Sequence, residues 1–261
     1  MSKLFVVATP IGNLKDITFR AVEILKSVDI ILAEDTRTSG ILLKAYGIQT
    51  PMKSFHMFNE KEKEKEIIEK IKEGKSMALI SDAGTPGICD PGAKLIQRCR
   101  EENIRVEVIP GPCAAIAALS LFGSDKPFQF IGFLDKKDRH QWINIVYYPG
   151  LTIAYDTPHH LMKTLEAMQG IAPNEKIFVA RELTKIYEET IEGVPQELID
   201  HFQNKKILGE YVLIFSGSEI TFEKNPQTLV EELQTRFGIN KKEAIVAAAK
   251  LLNRPKRDVY F

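Results

Sequence analysis

Twelve residues, Ser81-Asp-Ala-Gly-Thr-Pro-Gly-Ile-Cys-Asp-Pro-Gly92, constrain the fold of this chain more than any other stretch. They follow the short apolar run Met77 to Ile80, which reads as a buried parallel strand, and lead into Ala93 to Glu102, which reads as an amphipathic helix. The stretch is therefore a loop at the carboxyl end of a strand, where open α/β sheets bind ligands. Its three glycines and two prolines keep side-chain bulk low, so a ligand can approach main-chain N–H and C=O groups closely. The plain alternative is a long βα connection, although such connections usually take about 2–6 residues.

The same unit recurs along the first half. Lys3 to Ala8 is an apolar strand, Thr9-Pro-Ile-Gly-Asn-Leu a turn, and Ile17 to Val28 a helix with one apolar face. The turn matches neither G-x-G-x-x-G nor the P-loop pattern. Ile30 to Ala33 is a second strand ending in Glu34-Asp-Thr-Arg, followed by a short helix from Ile41 to Tyr46. Met52 to Phe55 is a third strand, with His56, Asn59 and Glu60 just beyond it. The charged run Glu60 to Glu66 reads as the solvated start of a helix ending near Gly74. After the central loop come the strand Arg105 to Ile109 and Pro110-Gly-Pro-Cys-Ala-Ala, which opens a helix to Leu121. This alternation predicts a parallel sheet covered on both faces.

The pattern resets at Phe122 to Lys126, and a second α/β series runs to Asn225-Pro226. Its strands are Phe128 to Gly132, Leu151 to Tyr155, Lys176 to Ala180, Ile186 to Ile191 and Tyr211 to Phe215; its helices begin at Asp138, His160 and Pro195. Two further helices, Thr228 to Phe237 and Lys241 to Leu252, flank a turn at Gly238, a pattern shared by helix-turn-helix units and plain helical hairpins. The expected division is thus a cofactor domain at 1–121, a second α/β domain at 122–225 and a small helical domain at 226–261.

Composition narrows the class. The chain is 44% hydrophobic and 27% charged, as in ordinary globular proteins, and no run reaches the ~20 apolar residues of a membrane span. With no apolar signal core at the start, a cytoplasmic protein is expected. The cysteines, Cys89, Cys99 and Cys113, lack metal-ligand spacing and read as free thiols, so no metal is expected. The 35 basic and 35 acidic residues balance, but the segment from Lys224 to Phe261 holds eight of the former and four of the latter. A +4 appendage on a −4 body hints at a polyanionic partner.

In a parallel sheet the loops at Thr9 to Leu14, Ser81 to Gly92 and Pro110 to Pro112 emerge on one edge. They offer backbone, small side chains and the carboxylate of Asp82, with no basic residue except Lys15 at the margin. That set suits a cation better than a polyphosphate, and S-adenosylmethionine carries a sulfonium cation and no phosphate.

Several runs carry a resemblance. Val7-Ala-Thr-Pro-Ile-Gly-Asn-Leu-Lys-Asp-Ile-Thr, Ala33-Glu-Asp-Thr-Arg-Thr-Ser, Ser54-Phe-His, Asn59-Glu, Ser81-Asp-Ala-Gly-Thr-Pro-Gly, Asp90-Pro-Gly, Pro110-Gly-Pro-Cys-Ala-Ala and Ala180-Arg-Glu-Leu-Thr-Lys are among them. Together they resemble the bacterial 16S ribosomal RNA cytidine 2′-O-methyltransferases of the tetrapyrrole methylase superfamily, over essentially the whole chain. The resemblance implies two α/β domains with S-adenosylmethionine in the cleft between them, a homodimer, and 16S RNA of the 30S subunit as substrate. Two runs depart from the family pattern. Tyr155-Asp-Thr-Pro-His-His stands where Tyr-Glu-Ser-Pro-His-Arg is usual, so no RNA contact carries over to His160, and Asp135 stands where proline is usual.

The implied cofactor contacts are Pro10, Ile11, Asp82, Gly84, Thr85, Pro86, Ile88, Gly111, Cys113, Ala114 and Leu183. The candidate bases are His56 and Asp35, with Arg37 orienting Asp35 or placing a phosphate. Each has a structural alternative: Asp35 and Arg37 as a simple ion pair, and His56 as a satisfied core histidine. Two other functions fit the same features, a superfamily methylase acting on a tetrapyrrole or other small molecule, and a non-catalytic cofactor-sensing RNA-binding protein.

Overall fold

A computed structural model describes residues 2–135, 137–217 and 225–259. Lys224, counted in the basic tail, lies outside the described residues. Contacts divide the chain into two compact units, Met1–Ala117 with Leu183–Ile186, and Ala118–Glu182 with Tyr187–Phe261.

The first unit is built on five short strands, β1 (Leu4–Val7), β2 (Ile30–Ala33), β3 (Met52–Ser54), β4 (Met77–Ile80) and β5 (Val106–Ile109). They form one sheet in the order β3-β2-β4-β1-β5, and every neighbouring pair is parallel. Strand side chains alternate faces, and here both faces are apolar. Phe5, Val7, Ile31, Ala33, Ala78 and Ile80 pack with α1 (Phe19–Ser27) and α2 (Thr36–Ala45). Leu4, Leu32, Met77 and Leu79 pack with α3 (Glu60–Lys72) and α4 (Ala93–Glu101). The neighbours β1 and β4 therefore send their connections to opposite faces, the switch point at which such sheets open a crevice.

Two local departures from expectation have clear causes. The helix after β2 starts at Thr36 rather than Ile41, because the Asp35 carboxylate caps it by accepting the Arg37 N–H at 2.8 Å. The charged run opening α3 is not wholly solvated either. Glu60 is 7% exposed, and its Oε1 accepts the Gly92 N–H at 3.1 Å.

In the second unit, β6 (Phe128–Phe133), β7 (Leu151–Asp156), β8 (Ile177–Arg181), β9 (Glu189–Gly193) and β10 (Tyr211–Ser216) form a sheet in the order β6-β7-β10-β8-β9. This sheet is mixed: β6 and β7 are parallel, while the other pairs are antiparallel. β9 begins at Glu189, three residues later than its apolar pattern suggests. Glu182 and Thr184 take left-handed φ values of 50° and 68°, and Leu183–Ile186 belongs with the first unit.

Between α5 (Ala114–Phe122) and the chain end lie α6 (Arg139–Tyr147), α7 (Leu161–Ile171), α8 (Pro195–Phe202), α9 (Pro226–Phe237) and α10 (Lys241–Leu251). Ala154, Val179, Leu213 and Phe215 of the second sheet share one apolar core with α6 to α10. Gly238 ends α9 in a left-handed conformation, and Asn240 with Glu243 forms a capping box that starts α10. Leu229, Leu233, Phe237, Ala244 and Ala248 are essentially buried in this core, so the terminal helices are part of the second unit's interior. Arg236 of α9 donates to the Ile171 carbonyl and, at 3.3 Å, to Glu232, which also accepts from the Tyr147 hydroxyl at 2.6 Å. Burial and the Glu232 carboxylate push the Tyr147 hydroxyl well above its ordinary pKa.

Leu233→Ala should therefore destabilise the second unit by about 2–5 kcal/mol, the usual cost of a leucine-sized cavity. Denaturant unfolding followed by Trp142 checks this, because that lone tryptophan is fully buried in the same core.

Candidate cofactor and catalytic site

The three Gly/Pro loops follow β1, β4 and β5, which are adjacent in the sheet, and hydrogen bonds join them into one surface. Thr9 and Gly84 exchange two backbone bonds, N–H to O at 2.8 Å and 3.2 Å. The buried Thr9 hydroxyl donates to the Ser81 carbonyl at 3.0 Å, and the Thr85 hydroxyl donates to the Pro112 carbonyl at 3.1 Å. Gly84 has φ +82°, and a Cβ there would lie 3.3 Å from Ile11 Cγ2. A bulky residue at Gly84 would strain the backbone as well as crowd a ligand.

Pro10, Ile11, Gly84 and Pro86 are buried, while Thr85, Cys113 and Ala114 are half-buried and Asp82, Ile88 and Gly111 are exposed. A Cβ on Gly111 would stand 2.9 Å from that of Ala8, so the third loop lies tight against the end of β1. Leu183, 6% exposed, comes with the segment that joins the first unit, where the Thr184 hydroxyl accepts the Asn13 N–H at 3.1 Å. All eleven candidate cofactor residues thus fall in the first unit. Lys185 reaches this loop too, its Cγ 2.5 Å from a Cβ built on Gly12; the sequence reading had no means to place it there.

The end of β2 is strongly acidic. The Asp35 N–H donates to Asp82 Oδ1 at 3.1 Å, while the Asp35 carboxylate takes the Arg37 guanidinium in two bonds of 3.1 Å and 2.7 Å. Those bonds hold Asp35 at a pKa of about 2. A carboxylate so occupied and so acidic is a weak proton acceptor. His56 is engaged as well. Asn59 Oδ1 accepts the His56 N–H at 2.8 Å, which turns the Asn59 amide nitrogen toward His56 Nε2 at 3.1 Å. Nε2 then accepts, the ring proton belongs on Nδ1, and Nδ1 is buried without a partner among the described residues.

Glu34 differs from both. It is half-buried, one residue past β2, and its carboxylate makes no hydrogen bond or ion pair among the described residues. Burial, then the charges of Asp90, Asp82 and Asp35, raise its pKa above the ordinary glutamate value. Burial raises Asp82 in the same direction. Sequence reasoning passed over Glu34 because it lies beside the more conspicuous Asp35-x-Arg37 pair; its position as the first residue after a parallel strand was the available signal.

A model of the Tetrapyrrole (Corrin/Porphyrin) Methylases matches residues 3–199. The chain belongs to that family. Methylase relatives of high similarity carry one name, ribosomal RNA small subunit methyltransferase I. The Bacillus subtilis protein is 43% identical over all of this chain and 93% of its own length, and that of Thermotoga maritima is 43% identical over 84% of this chain and 100% of its own. Among solved structures, a uroporphyrin-III-C-methyltransferase from Thermus thermophilus aligns with a TM-score of 0.62 at 17% identity, covering 83% of this chain and 94% of that one. A cobalt precorrin-4 methyltransferase aligns at 0.64 and 14%, covering 82% and 95%. At such identities the likeness is one of fold.

For this methylase, the raised Glu34 pKa has a direct consequence for stability. A carboxyl whose folded pKa exceeds its unfolded value costs the fold stability as pH rises through the folded value. Glu34→Gln should therefore unfold at a higher temperature than wild type at pH 8, and the gap should close below pH 4, where Glu34 is protonated in both states. Thermal melts at the two pH values check the sign.

Proposed function

We propose that this chain transfers a methyl group from S-adenosylmethionine to the ribose 2′-hydroxyl of a cytidine in 16S ribosomal RNA. The observation that carries the reading is identity above 40%, over nearly the full length, with proteins named ribosomal RNA small subunit methyltransferase I. The loop surface supports the cofactor: Gly84 and Gly111 leave room for main-chain contact, and Asp82 supplies negative charge for a sulfonium group. No helix among the described residues is long and apolar enough to cross a membrane, and the ribosomal substrate makes the cytoplasm the expected compartment.

S-adenosylmethionine supplies an electrophilic methyl group on sulfur. The chain's residues have two tasks: to hold the hydroxyl in line with that methyl and to take up its proton as the O–C bond forms and the S–C bond breaks. Glu34 is the proton acceptor in this scheme, with its pKa set nearer neutrality than that of Asp35. In this reading the Arg37 guanidinium, exposed and held by Asp35, meets a phosphate of the RNA, and His56 with Asn59 shapes the rim.

The terminal helices extend the reading to the whole subunit. Lys242, Val246 and Lys250 form an exposed stripe on α10, and Lys241, Arg254, Lys256 and Arg257 are exposed nearby. These charges suit the phosphates of a 30S particle, with the ribose engaged in the first unit. A homodimer is supported by Val108 on the edge strand β5 and Ile116 on α5, 59% and 48% exposed.

Transfer of tritiated methyl to 30S particles, with the product mapped by mass spectrometry, tests the activity. Wild type should label one cytidine ribose, and labelling of a base or of no nucleotide would overturn the reading. Glu34→Gln should lower turnover by roughly 10²–10⁴ and remove the acid limb of the pH–rate profile, with cofactor affinity retained by calorimetry. Replacing Lys242, Lys250 and Lys256 by glutamine should flatten the slope of log affinity against log salt by about 2–3 units.

A further inference from the structure

The turn between β3 and α3 holds two large apolar side chains in water. Met57 is 71% exposed and Phe58 95%. The backbone beneath them is well fixed. Asn59 and Glu60 each donate an N–H to the His56 carbonyl at 2.9 Å, the Asn59 side chain returns to the His56 N–H, and Glu60 is fastened to Gly92. The His56 ring meets Phe58 edge-on, 6.1 Å between centroids at 65°, so one aromatic neighbour steadies Phe58 without covering its faces.

The place of this turn matters as much as its exposure. It follows a strand of the parallel sheet, so it stands on the same edge as the three loops. The Glu60–Gly92 bond attaches it to the end of the Ser81–Gly92 loop. Exposed Lys61, Glu62 and Lys65 flank the turn. A ring bordered by charges of both signs is too small for a protein interface of about 800 Å² per partner, and it matches the face of one nucleobase.

We infer that Phe58 is a stacking contact for the RNA substrate, receiving on its ring face an unstacked base beside the ribose that enters the site. The inference rests on the RNA-methylating function proposed above. RNA is read largely through unpaired bases splayed onto aromatic side chains, a contact tolerant of sequence that needs no net positive charge.

Phe58→Trp tests it by fluorescence, since the protein's other tryptophan, Trp142, is fully buried. A single-stranded oligoribonucleotide should quench the new emission, and heparin, a polyanion without bases, should leave it unchanged. In methyl transfer to 30S particles, Phe58→Ala should raise KM by roughly tenfold with kcat within twofold, and Phe58→Tyr should restore KM. Equal response to heparin, no response to RNA, or a wild-type KM in Phe58→Ala overturns the inference. So does a change of oligomeric state in Phe58→Ala by sedimentation, which would assign the ring to a contact between copies. A wild-type enzyme inactive on 30S particles would remove the proposed function, and the quenching experiment would still decide the fate of Phe58.

Discussion

Two hydrogen bonds between Thr9 and Gly84 hold the first unit's candidate ligand surface together. They join the loops after β1 and β4, neighbours whose connections depart to opposite faces of the sheet. Left to themselves those loops would diverge. Tied, they form a floor to which the Thr85 hydroxyl fastens the third loop. Each bond contributes only about 0.5–1.5 kcal/mol net. Their importance is geometric, because Gly84 makes both bonds at φ +82°, a conformation that other residues resist.

Around that floor the charge is arranged in two states of commitment. Asp35 is bound to Arg37 and to its own helix, and is held fully ionised. Glu34, one residue earlier, feels the charges of Asp90, Asp82 and Asp35, and its own carboxylate makes no ion pair among the described residues. Adjacent residues at one strand end thus have their pKa values displaced in opposite directions, the kind of separation from which acid–base roles are made.

Much of this was legible in the sequence. Short apolar runs followed by Gly/Pro loops specify parallel strands with those loops on one edge, and β1, β4 and β5 lie next to one another accordingly. The family motifs point to the same loops. What the sequence did not disclose were features that depend on contacts between distant residues. The burial of Glu60 follows from Gly92, 32 residues away, and periodicity in a run of alternating Glu and Lys carries no sign of it. The late start of β9 accompanies the departure of Leu183–Ile186 to the first unit, and the antiparallel pairing of β10 with β7 and β8 joins strands far apart in the chain. Arg236 is one of the eight basic residues counted in the tail, and nothing in the sequence shows that its guanidinium is engaged with Glu232 and the Ile171 carbonyl.

The bond from the Gly92 N–H to Glu60 joins the rim turn of the first unit to the loop that forms its floor. Two segments sharing one buried bond cannot take up positions independently, so their displacements behave as a single coordinate. In thermodynamic terms, a molecule that orders one segment lowers the cost of ordering the other, and the benefit is equal in both directions. Cofactor and substrate would then each raise the other's affinity by the same factor, whichever arrives first.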